Sequence, residues 1–228
     1  MSEHIIRQIL ELGSEVIPED VEGALKDLTP KELRSMIAAL ASAVVKETEY
    51  RRQDQETIAT LKRQATEDPL TGLLNRRGLD KALEAICSKA NRLGSRPRHQ
   101  YAVLLFDLDD FKGINDHLGH DVGDEALRAF ARAMTESFRE HDIIARIGGD
   151  EFLAILEVGG YSGNINEFTL NKVAEISENA TRLFNYGGHE INCTAGAELF
   201  TDKETANQAF ITADENMYKR KNEKAQAR

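Results

Sequence analysis

The sequence predicts an α/β (α+β) domain with an antiparallel-containing central sheet flanked by helices, preceded by an N-terminal helical stalk. Residues 67–228 alternate short apolar segments of strand type with amphipathic helical patterns. Two of these segments meet at Gly148-Gly149, which indicates an antiparallel hairpin. Residues 1–66 carry helical patterns that are interrupted by a break over Gly13–Asp20. We therefore expect a helical region over 1–66 and one domain over 67–228.

The N-terminal region is expected to contain a short helix and a long one. Glu3–Leu12 has one apolar stripe, which is typical of an amphipathic helix. A stronger start signal follows, where Thr29 suits the N-cap, Pro30 the first helical position and Glu32 the return bond of a capping box. After Pro30 neither glycine nor proline occurs before Pro69, so this helix is expected to be long.

The long helix carries apolar residues at coiled-coil spacing. The seam consists of Leu33, Ile37, Leu40, Val44, Ile58, Leu61 and Ala65. Its middle positions are charged, namely Glu47, Arg51 and Asp54. One interpretation is a helix that packs on the domain over 67–228, with a solvated middle. The other is a stalk that forms a homodimer, with a charged centre that weakens one register and allows two.

The second region is expected to form its elements in a regular order. They are a helix over 76–92 with Asn75 as N-cap, a strand over Tyr101–Phe106, a helix over 122–138, the hairpin, a loop over Gly159–Asn166, a helix over 169–185, a strand near Ile191–Phe200 and a helix over 204–222. The first strand is apolar without interruption, which suits the middle of a sheet. Crossover connections are expected outside the hairpin.

The composition favours a cytoplasmic protein. The formal charge of -10 argues against coating of nucleic acid or of an anionic membrane surface. The sequence has no apolar run of membrane-spanning length and no N-terminal signal pattern. Its two cysteines, Cys87 and Cys193, are expected to be buried or free thiols.

Carboxylates at the ends of two predicted strands suggest a metal site. Asp107 and Asp109 follow the apolar strand, and Asp150-Glu151 follows the hairpin glycines. Mg²⁺ prefers a few carboxylate oxygens together with phosphate oxygens and water. Asp107, Asp150 and Glu151 could thus form a two-metal clamp for phosphoryl transfer. The alternatives are a solvated acidic loop and an ordinary turn.

Two polar residues between these segments could read a purine base. The Asp124 carboxylate could accept from the N1–H and N2–H₂ edge of guanine, and the Asn115 amide could contact O6 or N3. The simpler explanation of Asp124 is a favourable charge at a helix N-terminus.

Taken together, these motifs resemble the GGDEF family of diguanylate cyclases. The resemblance covers roughly residues 66–222. The matching blocks are Asp68–Arg76, Phe106–Asp116, Gly119–Asp124 and Arg146–Phe152. The resemblance implies a fold related to nucleotidyl cyclases and polymerase palm domains, with an antiparallel sheet flanked by helices.

The resemblance also implies roles for the site residues. Asp107, the Leu108 carbonyl, Asp150 and Glu151 would bind Mg²⁺ or Mn²⁺, with Asp150 and Glu151 at the catalytic centre. The implied GTP site comprises Lys112, Asn115, Asp124, Phe111, Gly148, Gly149 and Lys221. The family's second basic phosphate ligand, in a Gly-Arg-Asn run, is missing after Lys221, and Lys224 is a possible substitute.

Arg139 and Asp142 match the Arg-x-x-Asp inhibitory site at which the family binds its cyclic product. An ion pair between positions i and i+3 at a helix end is the simpler interpretation of the same spacing.

The implied reaction converts two GTP into cyclic di-GMP and two pyrophosphates. The implied partners are GTP, cyclic di-GMP and a second copy of the chain or a higher homo-oligomer. A regulatory protein bound to the N-terminal helices is a further candidate partner. A catalytically silent domain that acts as a cyclic di-GMP receptor or scaffold is the alternative function.

Overall fold

The computed structural model describes residues 28–93, 100–159, 163–186 and 188–226. The helix predicted at Glu3–Leu12 lies outside them. In chain order, the elements are α1 (Pro30–Thr66), α2 (Arg76–Leu93), β1 (Tyr101–Leu108), α3 (Phe111–Leu118), α4 (His120–Ser137), β2 (Ile143–Arg146), β3 (Glu151–Glu157), α5 (Ile165–Leu183), β4 (Cys193–Phe200) and α6 (Lys203–Gln226). Two compact units cover residues 1–60 and 61–228.

The helix α1 begins with the predicted capping box. The Thr29 amide donates to the Glu32 carboxylate at 2.9 Å, and the Glu32 amide donates to the Thr29 hydroxyl at 3.4 Å. None of the residues of α1 is buried. The apolar seam residues Leu40, Val44 and Ile58 are exposed, as are the charged residues in the middle of the seam.

Four strands of the described chain form one sheet in the order β2-β3-β1-β4, and every neighbouring pair is antiparallel. The predicted antiparallel-containing sheet is confirmed, as are its crossovers, since α3 and α4 join β1 to β2 and α5 joins β3 to β4. The central strand β1 continues to Leu108, two residues past the prediction. This extension brings Asp107 into the paired part of the sheet.

Helices cover both faces of the sheet. On one face Phe106 and Phe152 pack with Phe130 of α4, and on the other Val103 and Leu105 pack with residues of α2 and α6. Gly196 of β4 lets α6 approach closely, because a Cβ there would overlap the α6 backbone. Cys87 and Cys193 are buried free thiols, as the composition predicts.

Several predicted boundaries were wrong. The helix α3 was not predicted, and α4 begins at His120 rather than 122. The helix α5 begins at Ile165, inside the predicted loop, because the side chain of Asn164 caps it by accepting from the Asn166 amide at 2.9 Å. The final helix α6 is longer than 204–222 at both ends.

The start of α2 was predicted correctly. The Gly78 amide donates to the Asn75 side chain at 2.9 Å, so Asn75 is the N-cap. Within the described residues, we found no helix with the length and apolar content needed to cross a membrane.

Candidate active site

The strand register brings the acidic residues of β1 and β3 side by side. Asp107 on β1 lies directly opposite Glu151, the first residue of β3. The next residue, Leu108, donates its amide hydrogen to the Asp150 carbonyl at 3.3 Å. The carboxylates predicted to share a site therefore come from adjacent strands at one edge of the hairpin.

Within the described residues, no three His, Cys, Asp or Glu side chains cluster closely enough to form a metal site by themselves. The Asp107 carboxylate forms an ion pair with Lys221, and the Glu151 carboxylate lies over Gly148, where a Cβ would collide with it. A magnesium site needs only one or two carboxylates when phosphate oxygens and water complete it. Asp107, Glu151 and the Leu108 carbonyl supply oxygen ligands of the kind that such a site needs. They lie on the adjacent strands β1 and β3.

Burial raises the pKa of Asp107, and the ion pair with Lys221 opposes that rise. The neighbouring carboxylates of Asp150 and Asp109 raise this pKa further. A cation beside Asp107 favours its ionised form and lowers this pKa. Lys221 on α6 supplies one such cation.

The turn before Asp150 is held by Arg146. The Arg146 guanidinium donates to the Gly149 carbonyl from Nη2 at 2.7 Å and from Nε at 3.1 Å. Its Nη1 donates to the Asp68 carboxylate at 3.0 Å. Gly149 is exposed, and a Cβ there would meet no neighbouring atom. The turn therefore presents open space beside Asp150, as a bound ligand would require.

The residues predicted to read a base lie on α3 and α4. The Asn115 amide oxygen lies against Gly123, where any Cβ would overlap it. Asp124 is the next residue of α4 and is half-buried. The predicted amide and carboxylate therefore lie on two neighbouring helices, which pack closely where Asn115 contacts Gly123.

The basic residues near the carboxylates differ in their environments. Lys112 on α3 is exposed, whereas Lys221 is paired with Asp107. Lys224 forms an ion pair with Asp109 at 2.8 Å. A cavity of about 180 Å³ lies at the end of β1 and is lined by Leu108, Asp109, Asp110, Lys221, Lys224 and Ala225. Phe111, at the start of α3, is half-buried and packs on the core.

The Arg-x-x-Asp residues line a second cavity, of about 390 Å³. Its walls are Ser137, Phe138, Arg139, Asp142, Leu156, Glu157, Val158, Phe168 and Lys172. The Asp142 carboxylate accepts from the backbone amide of Arg139 at 2.9 Å. Among the described residues, no ion pair joins the Arg139 and Asp142 side chains. In this structure the Asp142 carboxylate therefore bonds to the backbone of Arg139, and the Arg139 side chain is exposed.

Comparison with known proteins identifies the family of the chain. The family model described as "Diguanylate cyclase, GGDEF domain" matches residues 65–227. This chain belongs to the GGDEF family. The resemblance inferred from the sequence motifs is therefore confirmed.

Two curated relatives illustrate the extent of the match. The diguanylate cyclase DgcP of Pseudomonas aeruginosa is 32% identical over 162 residues, which is 70% of this chain and 23% of DgcP. The diguanylate cyclase DgcS of Shewanella oneidensis is 31% identical over 160 residues, which is 69% of this chain and 50% of DgcS. The chain thus spans half or less of the length of these two relatives.

Two solved structures match beyond the GGDEF domain itself. The coiled coil and GGDEF domain of DgcB from Caulobacter crescentus, in complex with c-di-GMP, has a TM-score of 0.66 and 26% identity, and the match covers 81% of this chain and 95% of that one. The diguanylate cyclase SiaD from Pseudomonas aeruginosa, in complex with its activator SiaC, has a TM-score of 0.60 and 26% identity, with 97% and 80% covered. They confirm the predicted α/β fold preceded by a long helix.

Sequence reasoning missed several polar residues of the GGDEF domain. No role was predicted for Arg146 or Thr194, although Arg146 holds the hairpin turn and the Thr194 hydroxyl donates to Asp109 at 2.6 Å. Lys172 lines the larger cavity and lies 5.5 Å from the Phe138 ring centroid. The sequence did contain one signal for a second lysine on the same face of α6, because Lys224 follows Lys221 by about one helical turn.

Proposed function

We propose that the chain is a diguanylate cyclase that condenses two GTP molecules into cyclic di-GMP and two pyrophosphates. The observation that carries this proposal is the register of Asp107 opposite Glu151, with Lys221 on Asp107. Each 3′-hydroxyl attacks the α-phosphorus of the other GTP. Since one domain holds one GTP, two domains must face each other across a twofold axis.

The metal ligands in this proposal are Asp107, the Leu108 carbonyl, Asp150 and Glu151, with Mg²⁺ or Mn²⁺ as the ion. The bound ion would supply charge neutralisation of the triphosphate and activation of the 3′-hydroxyl. Asp150 and Glu151 lie at the catalytic centre, next to the open turn at Gly149. Their negative charge favours a cation there, and the rigid β1–β3 pairing holds them in place.

GTP is positioned by residues on three elements. Asn115 and Asp124 recognise the guanine base. The packing of Asn115 on Gly123, the residue before Asp124, supports their acting together on one base. Lys112 and Lys221 bind the triphosphate, where a point charge with three donors suits phosphate oxygens. Phe111, Gly148 and Gly149 line the path of the nucleotide, and the glycines leave room for it.

Product inhibition is assigned to the larger cavity. The exposed Arg139 guanidinium donates two parallel hydrogen bonds to a phosphate or to the guanine edge of cyclic di-GMP. The Asp142 carboxylate holds the backbone of Arg139 by accepting from its amide. The cavity of about 390 Å³ combines these polar groups with aromatic walls, which supports binding of a base-containing ligand. The DgcB match supports the same ligand class, since that structure contains c-di-GMP.

The helical region over 1–66 is proposed to dimerise the catalytic domain over 67–228 through a coiled coil. The exposed seam residues Leu40, Val44, Ile58 and Leu61 support this role, because pairing would remove their apolar surface from water. A higher homo-oligomer would use the same seam. The match to SiaD, solved with its activator SiaC, supports a regulatory protein on the N-terminal helices.

Incubation of the purified chain with GTP and Mg²⁺ tests the proposed reaction. A cyclase produces one cyclic di-GMP for every two pyrophosphates. A silent receptor binds cyclic di-GMP without turnover, and a scaffold binds GTP without turnover. Either of these two outcomes would contradict the proposal.

A further inference from the structure

The Lys224 ammonium belongs to a closed ring of hydrogen bonds at the end of β1. It donates to Asp109 Oδ2 at 2.8 Å, to the Cys193 carbonyl at 2.9 Å and to the Thr194 hydroxyl at 2.9 Å. The Thr194 hydroxyl in turn donates to Asp109 Oδ1 at 2.6 Å. Thr194 is buried, so these bonds are shielded from water on its side.

This ring leaves Lys224 without a donor for a phosphate. An ammonium group has three N–H donors, and each of the three has an acceptor in the ring. Contact with a nucleotide phosphate would therefore require the loss of at least one of these bonds. It would also separate the charge of Lys224 from Asp109, whose side chain is only 14% exposed. Lys224 is thus a poor substitute for a phosphate ligand.

The ring instead anchors the peptide unit that carries the Leu108 carbonyl. The Asp109 amide donates to the Asn192 carbonyl at 2.9 Å, on the β4 side of β1. Since a trans peptide unit is planar, its carbonyl points opposite to its amide hydrogen. The Leu108 carbonyl therefore points to the β3 side, toward Asp150 and Glu151. The Asp109 side chain, held by Lys224 and Thr194, fixes this orientation from the other end.

We propose that Lys224 is a positioning residue of the metal site, which acts through Asp109 to hold the Leu108 carbonyl in its ligating direction. This inference rests on the proposed cyclase function, because that function assigns the Leu108 carbonyl to the metal. Partners that orient a metal ligand change metal affinity by about ten- to a hundredfold when they are removed. Lys224 should therefore act on metal affinity and not on direct affinity for the nucleotide.

The test uses the full chain and the variants Lys224→Met and Thr194→Val, with Lys219→Met as the matched control on an exposed position of α6. Mn²⁺ binding is measured by electron paramagnetic resonance in the presence of a non-hydrolysable GTP analogue. Binding of the analogue alone is measured with EDTA present. Circular dichroism checks the fold, and Lys224→Gln replaces Lys224→Met if the latter does not fold.

We expect Lys224→Met and Thr194→Val to weaken Mn²⁺ binding about tenfold or more, with unchanged affinity for the analogue in EDTA. Lys219→Met should match wild type in both. Weaker analogue binding in EDTA for Lys224→Met, with a normal Thr194→Val, would overturn the proposal in favour of a phosphate ligand. Unchanged Mn²⁺ affinity in both variants would overturn it as well.

The Mn²⁺ measurement is independent of turnover. A wild-type protein that binds Mn²⁺ and the analogue but forms no cyclic di-GMP would contradict the cyclase function, whereas the loss of Mn²⁺ affinity in Lys224→Met would still support the positioning role. A wild-type protein that binds no Mn²⁺ would contradict both.

Discussion

Arg146 and Asp68 form a largely buried ion pair that joins the entry segment of the domain to the hairpin turn. The two side chains are 14% and 18% exposed, and their atoms Nη1 and Oδ1 are 3.0 Å apart. The same guanidinium holds the Gly149 carbonyl. Movement of the segment that directly follows α1 is therefore linked by one side chain to the residue before Asp150.

We expect Arg146→Ala to lower the free energy of unfolding by about 2 kcal/mol, because it removes charge-assisted hydrogen bonds from a shielded position. Turnover should fall as well, since the turn that presents Asp150 loses its support. Urea denaturation and a cyclic di-GMP assay measure the two effects. The matched control is Arg128→Ala, which breaks an exposed pair with Glu125 and should cost less than about 1 kcal/mol. Equal effects of the two variants would contradict the special role of Arg146.

The Asp68 carboxylate should make the stability of the domain depend on pH in acid. Burial raises the pKa of Asp68, but hydrogen bonds from Thr71 and Arg146 outweigh burial and hold the pKa below its ordinary value. A lowered pKa stabilises the fold above the unfolded pKa of about 3.9, and this contribution is lost as the pH falls through the folded pKa.

This pH dependence is tested by measuring the melting temperatures of the wild type and of Asp68→Asn between about pH 2 and pH 7. That range includes the ordinary aspartate pKa of about 3.9. We expect the largest difference at neutral pH and a shrinking difference in acid. A difference that is constant with pH would show that the ionised form of Asp68 gives no extra stability.

Arg139→Ala should relieve product inhibition without lowering the initial rate. The guanidinium lines the cavity of about 390 Å³ and lies outside the β1–β3 edge where turnover is proposed. Loss of a charge-assisted partner should weaken cyclic di-GMP binding about tenfold or more. Progress curves at several product concentrations measure this, with the exposed Arg132→Ala on α4 as control. An inhibition curve identical to wild type would contradict the assignment of Arg139.

Removal of the stalk should make the chain monomeric and slow its proposed cyclase reaction. The structure refines the truncation, because the Ala65 and Thr66 carbonyls accept hydrogen bonds from Asn75 at 3.3 Å and 2.9 Å. Deletion of residues 1–60 keeps these contacts and removes most of the seam. Tethering by the stalk supplies an effective concentration of about millimolar, so the truncated form should lag at low micromolar protein.

Sedimentation velocity alongside turnover at several protein concentrations measures the effect of this deletion. We expect a monomer whose specific activity rises with protein concentration. Specific activity that equals that of the full chain at every concentration would mean that the helix is not the dimerising element.

Local patterns were sufficient to predict most of the fold. The apolar segment before Asp107 and the glycines at 148 and 149 predicted β1 and the hairpin, because burial and turn geometry act over a few residues. The capping box predicted the start of α1 for the same reason. The helix α3 was missed because it is only 8 residues long and because it follows Asp110, a non-glycine residue with a positive φ of 56°.

The candidate site was predictable only where a motif identified its residues. The spacing of Asp107, Asp150 and Glu151 indicated acidic groups near a turn, and the register of β1 and β3 brought two of them together. The partners of Lys224 and Arg146 were not predictable from local pattern, because Asp109 and Asp68 are 115 and 78 residues away from them in sequence. Such pairs depend on how helices pack on the sheet.

The most direct test of the central claim compares cyclic di-GMP formation by the full chain and by Glu151→Gln, with GTP and Mg²⁺ at saturation. Glu178→Gln, an exposed position on α5, is the matched control. We predict cyclic di-GMP from the wild type and the control, and a rate at least about a hundredfold lower from Glu151→Gln, which corresponds to ~2.7 kcal/mol of transition-state stabilisation. No cyclic di-GMP from the wild type, or an equal rate from Glu151→Gln in a folded protein, would contradict the account.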